Sequence, residues 1–411
     1  MKKVFYVLAS SLFLLAAQPS MAQTKKMTLD ECIKYSVEHS PQMQLANKSI
    51  ERAKILQGTA WDVDKTDVTL GQDPTSGGSP DNALSFTQSI EFPTYYMARH
   101  GQLKAETKAE KGRAQVVRQD LVSDVKSAYY QLVYEAERLR LLATQDSLLR
   151  RYKDLAQKRY EAGEAKQLEV LTAEQMMREN NMEMVAAQSE AEGVRQKLCG
   201  LMGIDTTIEP VETTLSPIDW VQQGYNYAMT PEGQYAQDRM LVADKAVKVA
   251  KNGYAPSLSL SLRSQLVITS WDPYHQNRSR FDQGNFMGFE VGVGVPLFFG
   301  ATRAKVKAAN RDREIVQLEM QQEQQQRQQE YNACLSRINA ARVRLEYYQQ
   351  EGGKKAAEME RISCTEYEQG ESNYHDLITT LQNCIDMRMK RATAINDYNQ
   401  SVVSMQRICG M

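Results

Sequence analysis

Apolar and polar residues alternate almost without interruption in two short segments of the second half of the chain. In residues 257–268, Leu258, Leu260 and Leu262 fall on one face and serines fall on the other. Residues 288–295 repeat the pattern, with phenylalanine and valines alternating against glutamate and glycines. Alternation over about ten residues is typical of a β-strand with one apolar face, at the length that a membrane barrel strand needs.

The first half of the chain carries a weaker version of this pattern. Apolar residues recur at alternate positions, including Val68, Leu70 and Phe86, but a glutamine interrupts the face. Polar sequences rich in Gly, Pro, Asp and Ser separate the two strands of each pair, as expected for exposed loops. We therefore predict four strands in two pairs, within about residues 64–92 and 256–296.

Very long helices are predicted after each strand pair. Residues 94–160 contain no proline, and their apolar residues recur at intervals of three and four. At 1.5 Å per residue such a helix would be about 100 Å long. A matching run covers residues 297–368. The two runs stop at Gly163 and Gly370, which favour left-handed C-caps, and a second helix follows each glycine. Each half is thus predicted to carry a helical hairpin with a glycine at its tip.

The chain repeats these elements because its two halves share one plan. Pro93 and Pro296 each stand between a strand and a long helix. The sequence RYEAGEAKQLEVL at 159–171 aligns with EYEQGESNYHDLI at 366–378. Such internal similarity predicts two structural repeats, each with a short helix, two strands and a long helical hairpin. The predicted repeats are residues 23–210 and 211–411.

The first 22 residues have the pattern of a secretory signal peptide. Two lysines precede an apolar run, and a small-x-small sequence predicts cleavage between Ala22 and Gln23. The apolar run is too short to cross a bilayer. No later segment has 18 consecutive apolar residues, and the mean hydropathy of the chain is -0.54. Any entry into a membrane is therefore expected to occur through strands.

Charge and composition argue against several functional classes. The formal net charge of -1 gives no overall basic surface for nucleic acid. No nucleophile–base pair, phosphate-binding loop or zinc motif is found, so we expect neither an enzyme nor a cofactor or metal site. Methionines at Met176, Met177, Met182 and Met184 are interpreted as core residues.

The six cysteines are scattered and lack the spacing of metal ligands. Although the compartment is oxidising, we expect buried or unpaired thiols rather than a disulfide. If a pair does form, Cys199 and Cys409 are the first candidates. They end equivalent helices of the two repeats, in KLCG and RICG.

Four amphipathic strands are too few to close a membrane barrel. The smallest such barrels have about eight strands, and an open sheet edge leaves backbone groups unpaired in lipid. The chain is therefore expected to oligomerise, with three copies sharing one barrel that continues into a helical tube. The alternative is a periplasmic coiled-coil scaffold that never enters a membrane. Such a scaffold would have no need of lipid-facing leucines.

The signal peptide, the repeat, the strand–proline–aromatic junctions and the two tips resemble the TolC family of outer membrane efflux proteins over essentially the whole mature chain. The resemblance implies a mixed α and β membrane protein: a homotrimer with four barrel strands per chain in the cell outer membrane and an α-helical barrel in the periplasm. It also implies the exit duct of a tripartite efflux or secretion system. Such a duct passively conducts substrate from an inner-membrane pump, such as an RND-type transporter, through a periplasmic adaptor protein.

The same resemblance assigns a periplasmic gate near the tips. The acid six residues after the tip glycine is Glu169 in the first repeat and Asp376 in the second. A ring of carboxylates at a narrow pore attracts cations. Tyr367 is implied to act as a latch by hydrogen bonding to an acid of the neighbouring hairpin, with Glu169 as the candidate. Ser372 stands where better-known members have an arginine, which implies a gate that opens more easily.

The tips themselves are implied to dock the helical hairpin of the adaptor. The residues concerned are Gly163, Glu164, Gly370 and Glu371.

Overall fold

A computed structural model describes residues 25–74, 80–266 and 286–411 of the chain. The predicted cleavage site at Ala22 and Gln23 lies outside the described residues, as do parts of both loops between the predicted strands. The strands are β1 (Lys25–Met27), β2 (Asp67–Pro74), β3 (Pro80–Glu91), β4 (Ile208–Pro210), β5 (Ser257–Leu266) and β6 (Phe286–Gly294). The α-helices are α1 (Leu29–His39), α2 (Pro41–Leu56), α3 (Pro93–Glu161), α4 (Gln167–Met202), α5 (Pro231–Lys251), α6 (Gly300–Tyr347), α7 (Gly353–Glu368) and α8 (Tyr374–Cys409).

The chain folds into two compact units, each assembled from separate segments. We call them the hairpin unit and the sheet unit. Of the described residues, the hairpin unit comprises 25–44, 117–226 and 328–411, and the sheet unit comprises 45–74, 80–116, 227–266 and 286–327.

The sheet unit is built around a four-stranded antiparallel sheet with the order β2-β3-β5-β6. All four strands lie within the predicted ranges 64–92 and 256–296. Phe86 of β3 pairs with Val68 on one side and with Leu262 on the other. Helix α5 begins after Thr230, whose hydroxyl accepts a hydrogen bond from the Gly233 N–H at 3.1 Å. This N-cap satisfies a backbone donor that the first helical turn leaves free.

The hairpin unit contains a second, smaller sheet in which β1 and β4 pair in parallel. A capping box starts α1, since Thr28 and Glu31 exchange side chain–backbone hydrogen bonds of 2.8 and 3.3 Å. The first core of the unit packs α1, α3 and α4 around fully buried side chains. These side chains are Cys32, Leu121, Val125, Tyr129, Leu198, Met202 and Ile208.

Two further cores hold the long helices of the hairpin unit together. One lies near the hairpin tips and includes Leu149, Tyr152, Ala156, Ala173, Tyr367, Leu377 and Leu381. The other joins α6 to α8 through Tyr331, Cys334, Ile338, Ile395, Val402 and Met405. No helix within the described ranges has an apolar stretch long enough to span a membrane.

The helix predicted over residues 297–368 begins three residues later and contains a π-helical turn. Residues 297–299 precede α6, and a π-helical turn at Tyr348–Gly352 separates α6 from α7. Gly352 is buried against α8, where an added Cβ would lie 3.6 Å from the Met387 methyl group. Both glycines of the Gly352-Gly353 pair adopt ordinary right-handed angles. The chain therefore passes through the turn without leaving a helical course.

The cysteines form no disulfide, so the proposed pairing of Cys199 with Cys409 is not present. The two residues end equivalent helices, but they pack in different cores. Cys199 packs against the core that contains Cys32, whereas Cys409 packs against the core that contains Cys334. Burial raises the pKa of the Cys32 thiol to about 12, which keeps it protonated and unreactive.

Candidate functional site

One face of the four-stranded sheet is apolar and open in the single chain. Its cross-strand rows combine residues of all four strands. Val68, Phe86, Leu262 and Phe289 form one row, and Ile90, Leu258 and Val293 form another. Phe289 is 78% exposed and Leu260 is 48% exposed. A contiguous exposed apolar surface of this kind marks a site that contacts lipid or another protein.

The opposite face of the sheet carries small polar side chains, and two glycines in β6 fit it closely. Gly292 pairs with Ser259 and Gly294 pairs with Ser257. A Cβ added at either glycine would collide with the hydroxyl of the paired serine. The glycines therefore accommodate the serine hydroxyls of β5, a role that alternation alone does not reveal.

Aromatic residues surround the points where strands pass into long helices. Pro93 is the first residue of α3, one residue after the end of β3, and the Tyr96 hydroxyl accepts a hydrogen bond from the Glu91 N–H at 3.0 Å. Trp61 stacks on Tyr96 with 5.2 Å between ring centroids. Pro296 lies in the link between β6 and α6, where Phe298 is 91% exposed. Exposed aromatic rings beside an apolar sheet face are typical of a membrane–water interface.

The two hairpin tips have the same backbone structure. Gly163 and Gly370 have φ angles of 78° and 77°, so the left-handed C-caps predicted at both positions are present. At the first tip the Glu164 N–H donates to the Arg159 carbonyl at 2.8 Å, and at the second the Glu371 N–H donates to the Glu366 carbonyl at 2.8 Å. Each tip thereby ends its helix with the hydrogen bond of a Schellman motif.

The two hairpins contact each other near their tips through three tyrosines. The rings of Tyr152 and Tyr367 lie 6.5 Å apart, and those of Tyr367 and Tyr374 lie 6.1 Å apart. The Arg159 guanidinium lies 5.0 Å from the Tyr367 ring centroid, in cation–π geometry. The Tyr152 hydroxyl donates to the Cys364 sulfur at 2.6 Å. Because Arg159 and Tyr152 come from α3 and the others from the second hairpin, this tyrosine cluster joins the two hairpins.

Tyr367 is packed inside this cluster and is only 2% exposed. In the part of the chain that the structure describes, the hydroxyls of Tyr367 and Tyr374 are buried and make no hydrogen bond of normal geometry. The latch contact between Tyr367 and Glu169 is therefore not made within the chain. Burial raises the pKa of Tyr367, against the opposing effect of Arg159, and burial also raises the pKa of Tyr374. Both side chains are thus neutral at physiological pH.

The tip acids differ in their surroundings. Glu169 is half-buried in the first turn of α4. Asp376 is exposed in the first turn of α8, where its carboxylate accepts a hydrogen bond from the Asn373 amide at 2.7 Å. The Asn373 side chain also accepts from the Asp376 N–H at 2.9 Å. Glu164 lies 3.8 Å from Arg159, and Glu371 is exposed. Asn373 therefore caps α8, and the Asp376 carboxylate holds the capping side chain in place in addition to carrying charge at the tip.

The tyrosine cluster predicts contrasting effects for hydroxyl removal. We expect Tyr367→Phe and Tyr374→Phe each to leave the free energy of unfolding unchanged or raise it by up to about 1 kcal/mol, because neither buried hydroxyl makes a hydrogen bond of normal geometry. Tyr152→Phe should lower it by about 1 kcal/mol, because it removes the bond to Cys364. Thermal unfolding in detergent at pH 7 measures all three. Equal losses in all three variants would contradict the assignment of unpaired hydroxyls.

Sequence reasoning missed several of these features. It assigned Tyr367 a polar contact, whereas the apolar spacing of Tyr374, Leu377 and Leu381 already indicates a buried face at this end of α8. The interpretation of the methionines as core residues holds for Met176, which is buried, and is wrong for Met182, which is exposed. Within the described ranges, no cluster of three or more His, Cys, Asp or Glu side chains could hold a metal ion.

Comparison with known proteins gives a family and a fold. The family model described as outer membrane efflux protein matches residues 58–203 and 233–411. No curated protein sequence matches the chain significantly.

Several solved structures of membrane channels share the fold. The chain is similar to the CmeC outer membrane channel of Campylobacter jejuni, with a TM-score of 0.73 and 14% identity over 93% of this chain and 85% of that one. It is similar to the open state of the Neisseria gonorrhoeae MtrE outer membrane channel, with a TM-score of 0.73 and 13% identity over 93% and 88% of the two chains. It is also similar to CusC, with a TM-score of 0.77 and 13% identity over 96% and 95%.

Proposed function

This chain belongs to the outer membrane efflux protein family, and from that premise we propose that three copies assemble into one export duct. The protein is an efflux channel of the outer membrane. In the proposed assembly, each chain supplies four strands to a shared barrel and two hairpins to a helical tube in the periplasm. An inner-membrane pump, such as an RND-type transporter, would deliver substrate through a periplasmic adaptor. Conduction would be passive, with no catalysed reaction.

The observation that carries the proposal is the apolar face of the sheet together with its two open edges. β2 and β6 are the outer strands of the sheet in the order β2-β3-β5-β6. Unpaired edge groups in lipid would each cost several kcal/mol, so a sheet in a bilayer must pair both edges with other strands. Copies of the same chain offer matching edges, because β2 of one copy can pair with β6 of the next. The exposed leucines, valines and phenylalanines would then face lipid.

The alternative function, a periplasmic coiled-coil scaffold, is not favoured by the family. Such a scaffold would leave the apolar sheet face exposed to water, where it would promote aggregation.

The experiment that tests the proposal is a conductance measurement on purified full-length protein in planar bilayers. We expect detergent-dependent solubility, a mass of three chains and discrete channel openings. Protein that stays soluble and monodisperse without detergent and gives no openings would contradict the duct and favour the scaffold. The mass is measured separately, so that a monomeric channel would contradict the trimer alone.

We also propose that Glu169 and Asp376 form the cation-binding constriction of the duct. Both acids stand in the first turn after a tip, and carboxylates gathered in a narrow pore attract multivalent cations. We expect Glu169→Gln with Asp376→Asn to weaken block by hexaamminecobalt about tenfold or more and to raise conductance. The amide replacements are chosen because Asp376→Ala would also remove the oxygen that accepts the hydrogen bond from the Asn373 amide. The matched control is Glu179→Gln with Asp386→Asn, ten residues further along the same helices, which should change neither quantity.

The tips are proposed as the docking surface for the adaptor. Gly163 and Gly370 have no heavy atom within 4 Å of an added Cβ, so both tips are open to a partner. Glu164 and Glu371 flank them as exposed acids. This surface suits a helical hairpin that carries basic side chains at its turn.

A further inference from the structure

A cleft in the sheet unit is lined by lysines from three helices. Its volume is about 640 Å³, and its walls belong to α2, α3 and α5. All of its lining residues lie within residues 45–116 and 227–327. We call this the lysine cleft. Its lysines are Lys54, Lys104, Lys108, Lys111 and Lys245.

Most of this positive charge is not neutralised by the chain. Lys108 forms an ion pair with Asp238 at 2.8 Å. Among the described residues, the other four lysines of the cleft have no ion-pair partner. The nearby acids Glu110 and Asp244 are paired elsewhere, with Arg113 at 3.7 Å and Arg313 at 2.5 Å. Ammonium groups without an ion-pair partner around one cleft repel each other, and an anion that enters weakens this repulsion.

The floor of the lysine cleft is mainly apolar. Gly101, Ala105 and Leu241 contribute to it, beside the hydrogen-bonded pair Gln57 and Thr107. An added Cβ on Gly101 would lie 3.9 Å from Cδ of Lys245, so the aliphatic part of this lysine covers the glycine. The positions of Gly101, Lys104, Lys108 and Lys111 repeat at three and four, which places them on one face of α3. An apolar floor below a cationic rim is complementary to a ligand with one apolar and one anionic part.

The position of the cleft argues against a lipid headgroup as the ligand. Lys104 lies eleven residues after the start of α3, about 17 Å along the helix from the end of the sheet. The headgroup layer extends only about 5–8 Å beyond the hydrocarbon core. If the sheet spans the membrane, the cleft therefore lies in the aqueous compartment beyond the headgroups.

We propose that the lysine cleft binds amphipathic organic anions, in which a carboxylate, sulfonate or phosphate is attached to an apolar body. A volume of 640 Å³ lies within the range of drug-sized ligands. This inference goes beyond the channel function, because binding in detergent requires neither trimer closure nor conduction. A failure of the conductance test would not contradict anion binding in the cleft, and a failure of the binding test would not contradict the duct.

The test compares two probes that share one apolar body. 8-Anilinonaphthalene-1-sulfonate carries the sulfonate, and N-phenyl-1-naphthylamine lacks it. Fluorescence titration of full-length protein, with micelle background subtracted, should show that Lys104→Gln with Lys245→Gln weakens sulfonate binding at least tenfold and leaves the uncharged probe unchanged. The control Lys197→Gln with Lys354→Gln removes two exposed lysines elsewhere and should change neither titration. Thermal unfolding of each variant verifies that the fold is retained.

Two outcomes would overturn the proposal. Equal sulfonate affinity in the wild type and in Lys104→Gln with Lys245→Gln would show that the cleft is not the binding site. Displacement of the sulfonate probe by inorganic tripolyphosphate at equal concentration would show that charge alone determines binding and that the apolar floor contributes nothing. If the double variant fails to fold, Lys111→Gln alone should weaken sulfonate binding at least threefold, and an unchanged affinity would equally contradict the proposal.

Discussion

Leu260→Arg is expected to reduce the number of channels that insert into a bilayer by at least about thirtyfold. Leu260 lies on the apolar face of β5, paired with Val291 of β6, and it is half exposed in the single chain. Arginine on the lipid face of a membrane strand costs about 2–4 kcal/mol near the midplane. Since about 1.4 kcal/mol corresponds to a factor of ten, this cost lowers insertion by roughly thirtyfold to a thousandfold. Insertion frequency at equal protein concentration measures the effect.

The matched control for this variant is Ser259→Arg on the opposite face of the same strand. Ser259 is paired with Gly292, which has no side chain, so a longer residue has room there. This variant should insert at close to the wild-type frequency. An equal loss of insertion frequency in both variants would mean that arginine disrupts β5 itself. Insertion of Leu260→Arg at the wild-type frequency would contradict a lipid-facing role for the leucines.

Gly233→Ala is expected to lower the free energy of unfolding of the sheet unit by at least about 3 kcal/mol. Gly233 is buried in the first turn of α5, and an added Cβ would overlap the backbone carbonyl of Tyr227. Backbone atoms cannot yield as a flexible side chain does, so either the 3₁₀ turn at Tyr227–Met229 or the start of α5 must shift. Overpacking in a well-packed site costs about 1–3 kcal/mol and more when backbone must move. The midpoint temperature of thermal unfolding should fall by roughly 6–12 °C.

Gly193→Ala provides the control for this effect. Gly193 is exposed within α4, and no heavy atom lies within 4 Å of an added Cβ. Alanine is the better helix former by about 0.8–1.0 kcal/mol, so the variant should be slightly more stable than the wild type. A similar loss of unfolding free energy in both variants would indicate that the effect of Gly233→Ala does not come from the lack of space for a Cβ.

Sequence patterns predicted those parts of the fold that depend on local chemistry. The alternation of Leu258, Leu260 and Leu262 with serines indicated β5 because a strand with one apolar face requires that period. Gly163 and Gly370 indicated the tips because a left-handed C-cap accepts few other residues. In each case one residue type was required by one backbone geometry.

The parts that sequence patterns missed depend on packing between distant segments. Cys199 and Cys409 occupy equivalent places in the repeat, but no local signal shows that they belong to separate cores. Tyr367 was interpreted as a polar contact, and its burial depends on Arg159 and Tyr152 of the other hairpin. The lysine cleft was missed as well, because its residues come from three helices that are far apart in the sequence.

The π-helical turn has a consequence for the symmetry of the proposed trimer. α3 contains 69 residues and has no such turn, whereas residues 300–368 cover the same length with a π-turn at Tyr348–Gly352. A π-turn closes its hydrogen bonds between residues five apart instead of four, which changes the helical phase of α7 relative to α6. In the proposed trimer, the two hairpins of each chain would therefore present different faces to their neighbours. First and second hairpins would alternate around the duct, so that the ring of tips would have threefold rather than sixfold symmetry. The ring would then offer an adaptor two distinct docking positions.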